Sequence, residues 1–205
     1  GYQHQLALGL DEFPFWQMML YGFLAVLPRV VVAYIVGLGI EFIVAQWRKE
    51  EIQEGFLVTG ILIPMILPIE TPLWMIAVAT AFSVIFVKEV FGGTGYNVLN
   101  VALVTRAFLF FAYPAQMSGD KVFVATGKAL GYGQPVADGF TCATPLGQIA
   151  TQTSDQLTLT GIDGNVITTW DAFGGLIPGS FGETSMICIL LGAAILLLSR
   201  IADWR

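Results

Sequence analysis

The 205-residue chain is 56% apolar and only 12% charged, where a soluble domain has roughly a quarter of its residues charged, and its mean hydropathy is +0.74. The net charge of −6 lies mainly in loops and no basic patch is present, which argues against a nucleic-acid partner. Cys142 and Cys188 stand in unlike surroundings and give neither a metal spacing nor a disulfide framework, and no basic n-region marks the start as a signal peptide.

In chain order, residues 1–14, with the single histidine His4, are mixed in character and read as an interfacial segment. Residues 15–113 read as four membrane helices. The first, Trp16 to Trp47, exceeds the roughly 20 residues needed to span a bilayer, so its part up to Pro28 is expected to tilt or bend. A second run, Phe56 to Leu67, is short and is interrupted by Pro64 and Pro68. After the turn Pro68–Pro72 come Leu73 to Val90 and then Asn97 to Tyr113. Residues 114–180 form a polar loop rich in Gly, Thr, Asp and Gln, with β-type pieces at Val122–Thr126 and Gln156–Thr160. Residues 181–205 hold a last helix, Glu183 to Ser199, and a charged end. The expected class is therefore an all-α integral membrane protein of about five transmembrane or half-membrane helices with a polar, partly β loop.

Orientation follows from the cations. With the Arg48–Lys49 end in the cytoplasm, Lys88, Arg200 and Arg205 also fall inside, and only Lys121 and Lys128 lie outside, in a long loop where they count for less. The 114–180 loop is then expected to face outward from a multi-pass inner-membrane protein.

Three ionisable residues lie within apolar runs. Arg29 falls near the outer interface and reads as a snorkelling side chain. Glu41 lies about 9 Å inside the inner boundary at 1.5 Å per residue. It must face a polar cavity or a cation, as a functional group or as half of a structural ion pair. Arg106 is deeper and requires an anion, either a protein carboxylate or a ligand phosphate.

The turn Gly92-Gly93-Thr94-Gly95-Tyr96-Asn97 has the outline of a dinucleotide fingerprint, but it joins two membrane helices and follows no strand. It reads better as a tight re-entrant turn that lets backbone approach a ligand. Asn97 and Asn100, three apart, are expected on one face of the next helix, paired with neighbouring backbone or with a polar ring system. The later turn, Gly174 to Thr184, is expected to place backbone amides at the start of the last helix, where an anion is favoured.

Within the polar loop, Asp138-Gly139-Phe140-Thr141-Cys142-Ala143-Thr144 presents a hydroxyl on a turn of small residues. No nearby base supports a hydrolase nucleophile. The segment resembles the flavinylation motif Asp-x-x-Ser/Thr-Gly-Ala-Thr. Lys88 to Gly95, Arg106 to Gln116, Ser118-Gly119-Asp120 and Ile177 to Ser180 resemble, over nearly the whole chain, the family of NqrB subunits of Na⁺-translocating NADH:quinone oxidoreductases. The RnfD subunit of the Rnf ferredoxin:NAD complex is a relative that shares the threonine motif and the glycine turn.

The resemblance implies a redox subunit with a urea-transporter-like fold, part of a longer polypeptide with further helices before and after. Thr144 matches the threonine carrying covalent FMN through a phosphodiester bond, with Asp138, Thr141 and Ala143 in its motif. Asn97 and Asn100 match the helix lining a non-covalent riboflavin site, and Glu41 matches an acidic position tied to Na⁺ uptake. Arg106 is assigned to an anionic flavin or phosphate. The implied partners are the other subunits of the complex, quinone (ubiquinone or menaquinone), Na⁺ and membrane lipid. Cys142 stands where the motif has glycine, and Leu38 where a second glycine follows Gly37. The alternatives are an RnfD subunit, a flavin-free urea-transporter-like channel, and a structural assembly subunit without a chromophore.

Overall fold

The computed structural model describes residues 1–10, 14–51, 55–117, 123–136, 143–152, 158–162, 164–180, 182 and 184–202. Among them the regular structure is helical, with two isolated antiparallel bridges, Ala129–Tyr132 and Thr160–Val166, in place of strands. Among these residues the expected β character of the polar loop is thereby reduced to two tight turns.

A short helix α1 (Tyr2–Ala7) precedes α2 (Phe15–Arg48), which runs unbroken for 34 residues, about 50 Å at the helical rise. Pro28 lies inside it, and the helix continues beyond. The next helix, α3 (Phe56–Ile66), likewise carries Pro64 within it and ends only at Ile66, so Pro64 does not interrupt the run as expected. Neighbouring helices that bury both sides of a segment tolerate the missing N–H. After the Pro68–Pro72 turn, α4 (Leu73–Ser83) continues into a π-helical stretch, Val84–Glu89. A helix of wider turn inside an apolar run is rare and is found mostly at functional sites. Helix α5 (Val101–Ala112) returns, followed by the short α6 (Pro114–Met117). The polar region contributes α7 (Pro145–Thr151) and α8 (Thr169–Gly174), and α9 (Met186–Leu198) closes the described chain.

Helices α2 to α5 pack around one core, in which Ala33, Phe56, Ile63, Ile76, Val84 and Leu109 have no measurable exposure. Small residues set how closely the helices approach. Gly37 on α2 faces Phe56 on α3 so tightly that a Cβ would stand 1.9 Å from the ring, and Gly60 on α3 gives the same room to Tyr34. The outside of the bundle is also apolar: Trp16, Phe23, Ile35, Ile43, Val58, Trp74, Phe86 and Phe111 are exposed. In a soluble protein such a coat would be an aggregation surface; around a bundle of apolar helices it is the face that meets lipid. Trp16 and Trp47 stand near the two ends of α2, where amphipathic rings favour the headgroup level. Unlike the apolar helices α3 and α5, α9 has no buried residue.

The two ends of α2 meet different neighbours. Near its start, the Tyr21 hydroxyl donates to the Gly127 carbonyl (2.7 Å), and the ring stacks on His4 at 3.8 Å. At its end, Arg48 donates to the Glu89 carbonyl (2.5 Å). Along the axis these points are about 40 Å apart. The polar segment 123–136 thus gathers at one end of the bundle, and the glycine turn at the other.

Candidate functional site

The glycine turn forms because the π stretch ends in residues that only glycine accommodates easily. Gly92, Gly93 and Gly95 have φ of +110°, +97° and +90°, and the Gly93 amide donates to the Lys88 carbonyl (3.0 Å). The chain then runs to Asn100, whose side chain accepts from the amides of Ala102 and Leu103 (2.9 and 3.2 Å) and so starts α5 as an N-cap. Asn97 lies outside the helix, accepting from the Gly95 amide (3.3 Å) and donating to the Leu99 carbonyl (2.9 Å). The expected pair of carboxamides on one helical face does not form. Asparagine after a glycine turn has a cheaper use, since capping orphan amides satisfies both sides at once.

Glu41 is buried on α2 and pairs with Lys88 of the π stretch, itself buried. Of the two readings of Glu41, the ion pair is what the structure contains. Lys88, expected to be a loop cation marking topology, lies inside the bundle instead. Its signal was available: a lysine within an apolar run requires a counter-charge, and Glu41 is a carboxylate buried within another such run. The ammonium also lies 5.8 Å from the centre of the Phe56 ring. No cluster of three or more metal-ligating side chains occurs among the described residues.

Arg29 lies at the polar end of the bundle, as expected for an interfacial arginine, and donates to the Ala25 carbonyl (2.5 Å). It lines a cavity of about 500 Å³ together with Tyr21, Glu70 and Lys128. Arg106, midway along α5, is half-buried and has neither ion pair nor hydrogen bond among the described residues. No protein carboxylate among them meets the need for an anion.

Thr144 is the N-cap of α7: its hydroxyl oxygen accepts from the Gly147 amide (3.1 Å), with Pro145 at the first helical position. The side chain is half-exposed. Gln148 holds this short helix in place. Its amide donates to the Ala143 carbonyl (3.1 Å) and the Thr160 carbonyl (2.7 Å) and accepts from the Thr160 amide (2.9 Å). A polar cavity of about 260 Å³ opens beside it, lined by Ala143, Gln148, Thr151, Gln152 and Thr160, where the Gln152 side-chain oxygen Oε1 is buried without a partner among the described residues. Gln148 and Gln152 are residues that the motif reading did not single out. Asp138, Thr141 and Cys142 lie outside the described residues, as do Ser118-Gly119-Asp120 and Lys121.

The later glycine turn is pinned to the bundle, because Ser180 donates to the Met65 carbonyl at the end of α3 (2.9 Å). The start of α9 is capped separately by Ser185, which accepts from the Cys188 amide (3.4 Å).

Residues 6–205 match the model of the NQR2, RnfD, RnfE family. The chain belongs to that family. It is 46% identical over 200 residues to the NqrB subunit of the Na⁺-translocating NADH-quinone reductase of Chromohalobacter salexigens, covering 98% of this chain and 44% of that protein. The corresponding subunit of Yersinia pestis is 48% identical over 187 residues (91% of this chain, 42% of that protein), and that of Pseudomonas aeruginosa 45% over 197 residues (96% and 45%). The chain thus spans less than half the length of the curated relatives it matches. Membership in the NQR2, RnfD, RnfE family agrees with the lipid-facing bundle: this is a membrane protein.

Proposed function

We propose that the chain is the membrane core of an NqrB subunit of a Na⁺-translocating NADH:quinone reductase, mounting FMN on Thr144 and passing electrons toward quinone coupled to Na⁺ movement. The observation that carries the flavin reading is Thr144: a half-exposed hydroxyl on a capped, small-residue turn beside a polar cavity with an unpartnered Gln152 oxygen. A covalent mount needs a hydroxyl that a transferase can reach and a fixed backbone behind it. The Gly147 amide and the Gln148 clamp supply the second. When bound, the isoalloxazine supplies the electron-transfer chemistry, and the protein supplies position and polarity.

On this reading the polar end of the bundle is periplasmic, because Arg48 and Lys49 mark the opposite end as cytoplasmic. Lys88 no longer contributes to that count, being buried in an ion pair. Riboflavin near Asn97 and Asn100, and the urea-transporter-like arrangement, rest on the family resemblance. Both carboxamides are engaged with local backbone. Arg106, half-buried and unpaired among the described residues, is the group suited to hold an anion from outside them.

The test is mass spectrometry of the full-length subunit, expressed with its flavin transferase. FMN is expected on the peptide containing Thr144 and lost in Thr144→Val, with the fold intact by thermal unfolding. An unmodified Thr144 in the wild type, or a flavin absorption band absent after purification, would leave the flavin-free channel as the better account.

A further inference from the structure

The Glu41–Lys88 pair carries an inference that deepens the Na⁺-uptake reading of Glu41 and rests on it. Among the described residues only one oxygen of the carboxylate has a partner. Glu41 is 4% exposed, its Oε1 meets the Lys88 ammonium, and its Oε2 is buried with no partner among the described residues. A buried anionic oxygen left unpaired is costly and is kept only where something else takes it up. Beside it is a cavity of about 20 Å³, lined by Glu41, Arg48, Glu50, Glu51, Lys88 and Glu89, at the end of the bundle marked as cytoplasmic. A polar cavity holds one water at roughly 10–15 Å³, so this one has room for a single water or a single dehydrated ion. Its lining holds four glutamates against Arg48 and Lys88, and Arg48 is already engaged with Glu89.

The geometry points to Lys88 as a tethered counter-cation that competes with a transported monovalent cation for Glu41. A Na⁺ arriving at Oε2 while the ammonium sits at Oε1 places two positive charges on one carboxylate. Binding therefore favours displacement of the ammonium, and Glu50 and Glu51 in the same cavity lining are where it is received. The lysine is mounted on the π stretch Val84–Glu89 rather than on regular α-helix. That wider turn gives its segment a second hydrogen-bond register to move into. The device lets the apolar bundle hold a carboxylate without a permanent bound ion, and links site occupancy to the position of the 84–89 segment.

The test uses the full-length subunit in its purified complex, measuring the Na⁺ dependence of quinone reduction together with radiosodium binding. If Lys88 occupies Glu41 about nine-tenths of the time, Lys88→Gln lowers the half-saturating Na⁺ concentration about tenfold, because the competent fraction rises by that factor. Lys88→Arg moves it in the opposite direction, since a guanidinium engages both carboxylate oxygens. Should Lys88→Gln fail to assemble, the arginine variant still decides: a raised half-saturation supports the competition, and an unchanged one overturns it. Shifts of the same sign in both variants, or none in either while Glu41→Gln abolishes the Na⁺ dependence, overturn the role of Lys88 and leave Glu41 as the uptake site. A Na⁺ dependence unaffected by Glu41→Gln removes the uptake reading and this inference with it.

Discussion

The helical bundle and the polar segment beyond it are held together by different means. In the bundle, stability comes from the closeness that small residues allow, with Phe56 over Gly37 and Tyr34 against Gly60. In the polar segment, side chains bond to backbone: Gln148 to Ala143 and Thr160, Glu70 to the Thr126 amide (2.8 Å), Tyr21 to Gly127. The difference follows from solvent. Lipid gives no hydrophobic reward for bringing two helices together, so contact must come from packing. A polar loop facing water buries too little apolar surface to order itself, so it must be tied by hydrogen bonds.

The sharpest way to break that contrast is to fill the gap in the bundle. Gly37→Ala puts a methyl 1.9 Å from the Phe56 ring, which is itself fully buried in the core and has no open side to turn toward. The expected cost is about 3 kcal/mol, the upper part of the overpacking range. It should register as a large fall in the detergent-solubilised unfolding temperature. Phe56→Leu in the same background should recover part of it.

A smaller effect is expected from the polar side. Gln148→Leu removes three hydrogen bonds and should cost about 1–3 kcal/mol. Faster amide exchange should be confined to 143–152 and 158–162, with exchange in α2 to α5 unchanged. If the bundle loosens as well, the two regions are not independent.

Smaller again, Thr126→Val removes one hydroxyl bond to Glu70 and should cost about 1 kcal/mol. It should raise exchange across 123–130, while Glu70→Gln gives a similar local result.

The smallest effect is a pH dependence at His4. Burial holds its imidazole below the ordinary histidine value, partly offset by the hydrogen bond to the Ala125 carbonyl (2.8 Å). The folded form therefore binds its proton less readily than the unfolded chain. Its contribution is present in full above the ordinary value of about 6.5 and is lost as pH falls below it. Exchange at 123–127, corrected for its intrinsic pH dependence, should increase from pH 7 to pH 5 in the wild type. The increase should be absent in His4→Phe, which retains a ring against Tyr21.

Much of this was legible in the residues. The apolar runs located α2 to α5 within a few positions, because a bilayer imposes length and composition together. The prolines misled: Pro64 lies inside α3, since neighbours in the bundle compensate a lost bond that an isolated helix would not survive. Asn100 was read by its spacing from Asn97 rather than by its place after a glycine turn, and the capping role was missed. Thr144 was singled out by resemblance to a motif, whereas Gln148, four residues on and bonded to positions 143 and 160, has no local signature.

The sequence by itself determined that the chain lives in lipid and where its helices run. Those are consequences of composition and of neighbours along the chain. Only the tertiary structure decided that Glu41 belongs to Lys88 and that Gln148 clamps the Thr144 turn. The partners in the first pair lie 47 positions apart, and nothing local in either segment encodes the packing that brings them together.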